Sequence, residues 1–480
     1  MKNSRDHLLI YLNGERVEIR GADAFVMLSD FLRYRRRLTG TKIVCAEGDC
    51  GACTVLRAFP QPGRDSFRFQ AVNSCIMPLF LADGSHLITI EGLRENGELN
   101  EVQNKMCDFN GAQCGFCTPG IVMALTEMFE NKKSVAEKTV KNYLTGNLCR
   151  CTGYSPIIEA ACAVNPQKVK LMRDRYGSKV IEKDLAQQFK IPVRVEFGSK
   201  VYFSPVTASG AARFKIKNQT ARIFSAATDL GVQVNKGFIS SDVNLALHQI
   251  PELYTLKKSA TRIFVGAKVT LMDLENFVAG VIPEFEKFLR IFASLQIKNV
   301  ATLAGNVVNG SPIGDTLPFL QVANAVVDLH GSKGPRKVKF IKFYKGYRQT
   351  EMKKDEIVTG IHFDIPAAGE ILRLFKVSQR KDLDISCVNA GFRMTLKNGK
   401  VNGARIALGG VGPTILSLPK TAAYLNGRAL DAETVKQSLR LIAQEIAPRS
   451  DVRGSADYRV ALSQSLFKKF VAECMTGGAP

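Results

Sequence analysis

Three cysteines stand in the stretch IVCAEGDCGACTVL, at Cys45, Cys50 and Cys53, and a fourth follows at Cys75. Four thiolates could bind a metal or pair with each other. Twelve cysteines in a sequence whose start shows no export signal favour metal binding or buried thiols over a disulfide framework. The spacing C-x4-C-x2-C…C is the plant-type [2Fe–2S] pattern. A loop can deliver three thiolates to one cluster only if its backbone curls around it. Gly48 and Gly51 permit that curl and leave room for backbone N–H groups to face the sulfurs. Structural zinc is the alternative, but it usually draws on two C-x2–4-C units, and one triple with a distant fourth residue fits a cluster better.

A second set follows, Cys114 and Cys117 in CGFC and Cys149 and Cys151 in CRC. Each pair sits near an expected helix N-terminus, where partial positive charge favours thiolate. Taken alone, CGFC could be a redox-active C-x-x-C or half a zinc site. The C-x-C partner is unusual for zinc, and the neighbouring loop points to a second [2Fe–2S] centre. Cys107, Cys162, Cys387 and Cys474 are left over and read as small buried hydrophobes. The five histidines, His7, His86, His248, His330 and His362, are scattered singly, so a histidine zinc site is not expected.

The elements that must position these residues change along the chain. Leu8–Leu12, an Asn13-Gly14 turn and Val17–Ile19 predict a hairpin rather than a signal peptide. A helix follows with Met27, Leu28, Phe31 and Leu32 on one face and Asp23 as its cap, then strands at FRFQAV and LITIEG. Between 94 and 165 the punctuation is helical. Thr118-Pro119 reads as an N-cap with proline in the first turn, Ser134 to Glu137 as a capping box, Gly146 as a left-handed C-terminal residue, and Ser155-Pro156 as a further start. With LNEVQNKMCDF these make four short helices, enough for a bundle. Residues 166–198 look like a charged linker. From 199 to 367 strands and helices alternate, and 368–480 reads as a final α+β segment.

CAEGDCGACTV, QCGFCTPG and GNLCRCTGY together resemble the paired iron–sulfur signatures of the molybdenum hydroxylases. Within that family the layout is similar to the small subunit of bacterial xanthine dehydrogenase, over essentially all of residues 7–470. The resemblance implies an α+β multidomain fold: a ferredoxin-like β-grasp at 7–93, a helical [2Fe–2S]-binding bundle at 94–165, a PCMH-type FAD domain at 199–367 and a CO dehydrogenase flavoprotein-like domain at 368–480. It implies two [2Fe–2S] clusters and FAD on this chain, with the molybdenum cofactor on a separate large subunit and a heterotetramer as the assembly. Electrons from oxidation of hypoxanthine and xanthine to urate would enter at the bundle cluster, pass to the loop cluster, then to FAD and NAD+. Gln113 would face the pterin, and no side chain here needs to be a catalytic base.

No G-x-G-x-x-G lies between a strand and a helix, and LGGVGPT is too weak to stand for one, so a Rossmann site is not expected. IFSAATDLG and FASLQIKNVATLAGNVVNGSPIGD instead resemble the family's two FAD-contacting segments. Small residues there let backbone N–H groups approach a pyrophosphate, and Thr228, Asn306 and Asp315 are able to hydrogen-bond the cofactor. The resemblance implies FAD contacts from Ile223, Phe224, Ser225, Ala226, Ala227, Thr228, Asp229 and Leu230. It implies others from Phe292, Thr302, Leu303, Ala304, Gly305, Asn306, Asp315, Val358 and Lys376. Phe292 would pack on the flavin, and Asp384, in SQRKDLDIS, would flank it. Ala226 and Ala304 stand where the family usually has glycine, and their methyls are expected to crowd the pyrophosphate or to loosen FAD, alanine being the mildest replacement.

Composition narrows the class. No apolar run is long enough to span a membrane, and the expected location is cytoplasmic. The net charge is +22, concentrated at Gln167–Lys200 and Ser332–Lys354. No nucleic-acid motif accompanies these runs, and they read as solvated surface. Other hydroxylases of aldehydes or N-heterocycles, a zinc-stabilised scaffold and a self-contained NADH-dependent reductase are the competing readings.

Overall fold

The computed structural model describes residues 4–62, 68–94, 96–132 and 135–476. They fall into two compact units, one made of Met1–Pro251 with Ser294–Ala301, the other of Glu252–Ala293 with Thr302–Pro480.

The first unit begins with strands β1 (Leu8–Leu12) and β2 (Glu15–Ile19), joined by Asn13 and Gly14 at φ +49° and +91°, the left-handed pair that a tight hairpin requires. With β3 (Thr54–Ala58), β4 (Gln70–Asn73) and β5 (Ser85–Ile88) they form a sheet ordered β2-β1-β5-β3-β4. The helix expected after β2 is broken into a 3₁₀ turn at Gly21–Phe25, an α turn at Leu28–Asp30 and a π turn at Phe31–Arg35. Asp23 does not cap it; its carboxylate accepts from Arg35 Nε at 2.7 Å. The break has a cause. Leu28 N–H donates to Met77 O, and Leu79 N–H donates to Val26 O, so this backbone is claimed by a neighbouring segment.

Four helices follow: Glu101–Asp108, Thr118–Asn131, Glu137–Tyr143 and Ser155–Ala163. The second is buried from Gly120 to Phe129 and forms the centre of the bundle. Its N-cap is Cys117 rather than Thr118, whose hydroxyl is buried without a partner. Ser134 lies outside the described residues, and Gly146 does not adopt a positive φ. Residues 166–198 are packed rather than loose. Helices Met172–Tyr176 and Lys179–Gln188 bury Met172 and Leu185, and Arg175 donates to the carbonyls of Gly92, Leu93 and Arg94.

Strands β6 (Val193–Phe197), β7 (Lys200–Ser204), β8 (Arg222–Phe224) and β9 (Val243–Ala246) form a second sheet, ordered β6-β7-β9-β8, with β9 parallel to both neighbours. Its core merges with that of the first sheet: Phe80 stacks on Tyr202 at 4.9 Å and meets Phe224 edge-on. The detached piece, Ser294–Ala301, supplies a short helix, Leu295–Lys298.

In the second unit, β10 (Leu256–Lys258), β11 (Arg262–Gly266), β12 (Val326–Gly331) and β13 (Gly334–Lys339) belong to one antiparallel sheet. A small pair, β14 (Tyr344–Gly346) and β15 (Gln349–Thr350), precedes β16 (Ile357–Asp364), which sits between β11 and β12. Stacked Phe285 and Phe319 and edge-on Phe363 fill its core. A further sheet of β17 (Glu370–Val377), β18 (Val388–Lys397), β19 (Lys400–Gly409) and β20 (Leu416–Ser417) packs against Ala432–Glu445 and Ala456–Met475. The fold is thus α+β and multidomain. The leftover cysteines divide. Cys387 is buried and Cys474 half-buried, whereas Cys107 and Cys162 are exposed on their helices, against the expectation of four core residues.

Candidate cofactor sites

All twelve cysteines are free thiols. In the loop after the first helical turns, Ala46, Gly48 and Gly51 take φ of +54°, +75° and +68°, and the chain curls as the glycine spacing predicts. Sulfur–sulfur contacts join Cys45 to Cys50 and Cys75, and Cys53 to Cys75. These contacts hold Cys45 and Cys53 well toward thiolate and push Cys50 and Cys75 up as the donating thiols. The backbone amides on the sulfurs come from Glu47 and Cys50 to Cys45 and from Ala52 to Cys50, so the glycines supply the bend and their neighbours the donors. Asn73 braces the loop by donating to Gly48 O at 2.6 Å. Val232 and Ile297 pack over Cys53, Cys75 and Ile76.

The second quartet forms at two helix N-termini. Cys114 and Cys117 precede Thr118–Asn131, and Cys149 and Cys151 precede Ser155–Ala163. Cys151 Sγ lies 3.5 Å from Cys114 Sγ, and Cys117 contacts Cys149. Burial, then the Cys149 contact, pushes Cys117 up to about 12, while the amide of Phe116 and the Cys151 thiol lower Cys114. Tyr154, left-handed at φ +72°, accepts from Cys149 N–H at 2.8 Å and pins the C-x-C turn. Gln113 is exposed beside Cys114. Among the described residues no three His, Cys, Asp or Glu side chains surround one point as a single ion requires. Within each quartet the sulfurs contact one another, and four cysteines are the number a [2Fe–2S] cluster draws on.

The two quartets are directly bonded through backbone. Leu148 N–H, next to Cys149, donates to Cys50 O at 2.9 Å, and Asn147 Nδ2 donates to Gly51 O at 3.2 Å. A Cβ on Gly51 would lie 2.2 Å from Gly146 O, and one on Gly120 2.2 Å from Gly51 O, so this approach depends on glycine. Gln296 donates to Asn147 Oδ1 at 2.8 Å. Asn299 donates to Glu127 Oε1 and Ala71 O and accepts from Gln70. Neither Gln296 nor Asn299 carries a sequence signal; one is a polar residue in a short helix and the other its C-cap.

The first segment expected to contact flavin, Ile223–Leu230, runs from β8 through a turn into the helix Leu230–Asn235. Its backbone strain is at Ala227, φ +64°; Ala226 needs no positive φ, and its methyl imposes no cost on its own backbone. In the second unit, Thr302 caps the helix Leu303–Asn309 by accepting from Gly305 N–H at 3.0 Å. Ala304 is helical and buried there, an ordinary place for a methyl. Asn306 Oδ1 accepts from Thr316 at 2.6 Å, Val358 is buried in β16, and Phe292 is half-buried after the Pro283–Arg290 helix.

Asp315 is the centre of a buried cluster. It accepts from Lys376 Nζ at 2.6 Å, Ser386 Oγ at 2.5 Å and Asn389 Nδ2 at 3.1 Å. The structure therefore brings Asp315 and Lys376 together, with both side chains nearly sealed from solvent. Asp384 accepts from the N–H groups of Arg380 and Ile385, folding the loop between β17 and β18, and the Arg380 amide leads the effects that hold its carboxyl low.

Three family models match: a [2Fe-2S] binding domain over 89–162, the FAD binding domain in molybdopterin dehydrogenase over 194–367, and the CO dehydrogenase flavoprotein C-terminal domain over 373–474. Xanthine dehydrogenase of Emericella nidulans is 30% identical over 98% of this chain. The chain thus carries FAD-binding and [2Fe–2S]-binding domains of the kind found in molybdenum hydroxylases. Aldehyde oxidase 2 of Rattus norvegicus is 29% identical, also over 98% of the chain. The chain spans 39% of the length of each of these two relatives. Among solved structures, carbon monoxide dehydrogenase from Hydrogenophaga pseudoflava superposes with a TM-score of 0.54 at 25% identity, covering 58% of this chain and 96% of that one. Among the described residues no helix is long and apolar enough to cross a membrane.

Proposed function

We propose that this chain carries electrons away from a molybdenum–pterin centre on a partner polypeptide during oxidation of hypoxanthine and xanthine to urate, with NAD+ as acceptor. The observation that carries the reading is the pair of cysteine quartets joined by the Leu148–Cys50 hydrogen bond. Cys114, Cys117, Cys149 and Cys151 would hold the cluster nearer the partner, since Cys114 and Cys151 are exposed. Cys45, Cys50, Cys53 and Cys75 would hold the inner one. When bound, the clusters supply one-electron transfer, and FAD combines two such steps for delivery as hydride.

The chain's own residues hold and orient these groups. Ile223–Leu230 and Thr302–Asn306 would approach the FAD phosphates with backbone amides, and Val358 and Phe292 would offer apolar contact. Asp315 fixes the Lys376 ammonium, and Asp384 shapes the loop at 378–386. The partner would be a molybdopterin-binding large subunit in a cytoplasmic heterotetramer.

Purified with its partner, the protein should contain about four irons and about one FAD per chain, and should reduce NAD+ when given xanthine. Zinc without iron would refute the cluster assignment. A second reading keeps the relay but changes the substrate to an aldehyde, as the similarity to aldehyde oxidase 2 suggests. Turnover of an aromatic aldehyde in preference to xanthine would select it.

A further inference from the structure

The helix Leu230–Asn235, which continues the flavin turn, is seated on the loop that carries the inner quartet. A Cβ on Gly231 would lie 2.0 Å from Ile76 O, the carbonyl just after Cys75, so helix and loop touch backbone to backbone. One turn later, Asn235 places a single amide nitrogen, Nδ2, 2.7 Å from Cys75 O and 2.9 Å from Ala46 O. Cys75 and Cys45 reach the quartet from different directions, one after β4 and the other from the glycine-rich curl. Ala46 holds the left-handed backbone that starts that curl. An ion pair between Lys236 and Glu47 closes the same face.

We propose that Asn235 is a positioning residue for the loop cluster, cross-bracing the two segments that deliver Cys45 and Cys75. Both amide hydrogens of Asn235 are committed to carbonyls one residue from, or belonging to, a ligand. An amide suits this task because it offers two donors from one rigid plane. Aspartate, its nearest isostere, offers none and would face two carbonyl oxygens with negative charge. The brace also ties the spacing of these ligands to the end of the expected flavin turn, since Leu230 and Asn235 are the two ends of one six-residue helix. The inference rests on the assignment of Cys45, Cys50, Cys53 and Cys75 to a [2Fe–2S] cluster.

The test uses the whole chain with its cofactors, as wild type, Asn235→Ala, Asn235→Asp, Lys236→Ala and Cys75→Ser. Cys75→Ser identifies which of two paramagnetic signals of the reduced protein belongs to the loop cluster. In Asn235→Ala and Asn235→Asp that signal should change its g-values, and iron loss to a chelator should quicken at least about fivefold for one cluster, since both hydrogen bonds are lost. The second signal should stay unchanged, and Lys236→Ala should resemble wild type. An Asn235 variant with both signals and the chelation rate of wild type overturns the proposal. So does a fall in melting temperature with both signals intact, because that marks a merely structural contact. Should Cys75→Ser leave both signals in place, the ligand assignment itself fails, an outcome distinct from failure of the brace.

Discussion

Two buried titratable residues in the first unit oppose each other across the mildly acidic range. His86 is fully enclosed among Tyr11, Phe69 and Tyr176, and burial lowers it from the usual 6.5 to about 4. Between those values the unfolded chain holds a proton that the folded one does not, so stability rises with pH. Burial raises Glu127 from 4.5 to about 7, only partly countered by the Asn299 amide. Between 4.5 and 7 the folded chain holds the extra proton, so stability falls as pH rises. Each shift is worth about 3 kcal/mol, and the two slopes nearly cancel. Glu127→Gln keeps the oxygen that Asn299 donates to and removes one slope. Urea unfolding should show this variant gaining up to about 3 kcal/mol near pH 7 and depending more steeply on pH between 4 and 6.5. Glu127 was not legible as special, because a glutamate in an apolar helix looks like any solvent-facing position. The eight cysteines were legible as two groups because residue type and spacing recur together, and the structure brings the sulfurs of each group into contact. Cys107 and Cys162 were misread for the complementary reason: a lone cysteine carries no spacing, so only its neighbours decide its burial.

At the scale of elements, local pattern identified strands and helices and misplaced their ends. The hairpin was readable from Asn13-Gly14, because few residue pairs take two left-handed conformations. The broken helix at 21–35 was not, because the hydrogen bonds that interrupt it come from residues 77–79. Gly231 belongs with such long-range constraints. Gly231→Ala would force the Ile76 carbonyl and the helix apart, with an expected loss of about 2 kcal/mol in urea unfolding. The Asp315 cluster governs the hairpin of β17 and β18 in the same way, since Lys376 and Ser386 stand at the two feet of its loop. Asp315→Ala strands a buried ammonium and should cost about 3–5 kcal/mol. Adding Lys376→Met to Asp315→Ala should recover at least half of that loss. Trypsin, acting at the exposed Arg380 and Lys381, should cut the single variant faster than wild type.

For the molecule as a whole, domain classes were readable from their motifs, but the assignment of Ser294–Ala301 was not. Its sequence neighbours on both sides belong to the second unit, while its side chains lie in the first. Gln296, Ile297 and Asn299 meet Asn147, the Cys53–Cys75 patch, and Glu127 with Gln70. A chain cut after residue 251 would keep every cysteine of both quartets yet leave those buried polar groups unmatched, at about 1–3 kcal/mol each. It should unfold at markedly lower urea concentration than the same residues in the intact protein, and it should hold iron less firmly. Equal midpoints would show the segment to be dispensable.

That detour also orders events on the ribosome. Forty-two residues, 252–293, must be translated after Pro251 before Ser294 exists; at about 5–20 residues per second that is roughly 2–8 seconds. During that interval the nascent polypeptide presents Cys53 and Cys75 without Ile297 to cover them. Metal delivered early would meet a half-built nest open to oxidation. Assembly of the proposed inner cluster would therefore gain by waiting until translation has passed Ala301.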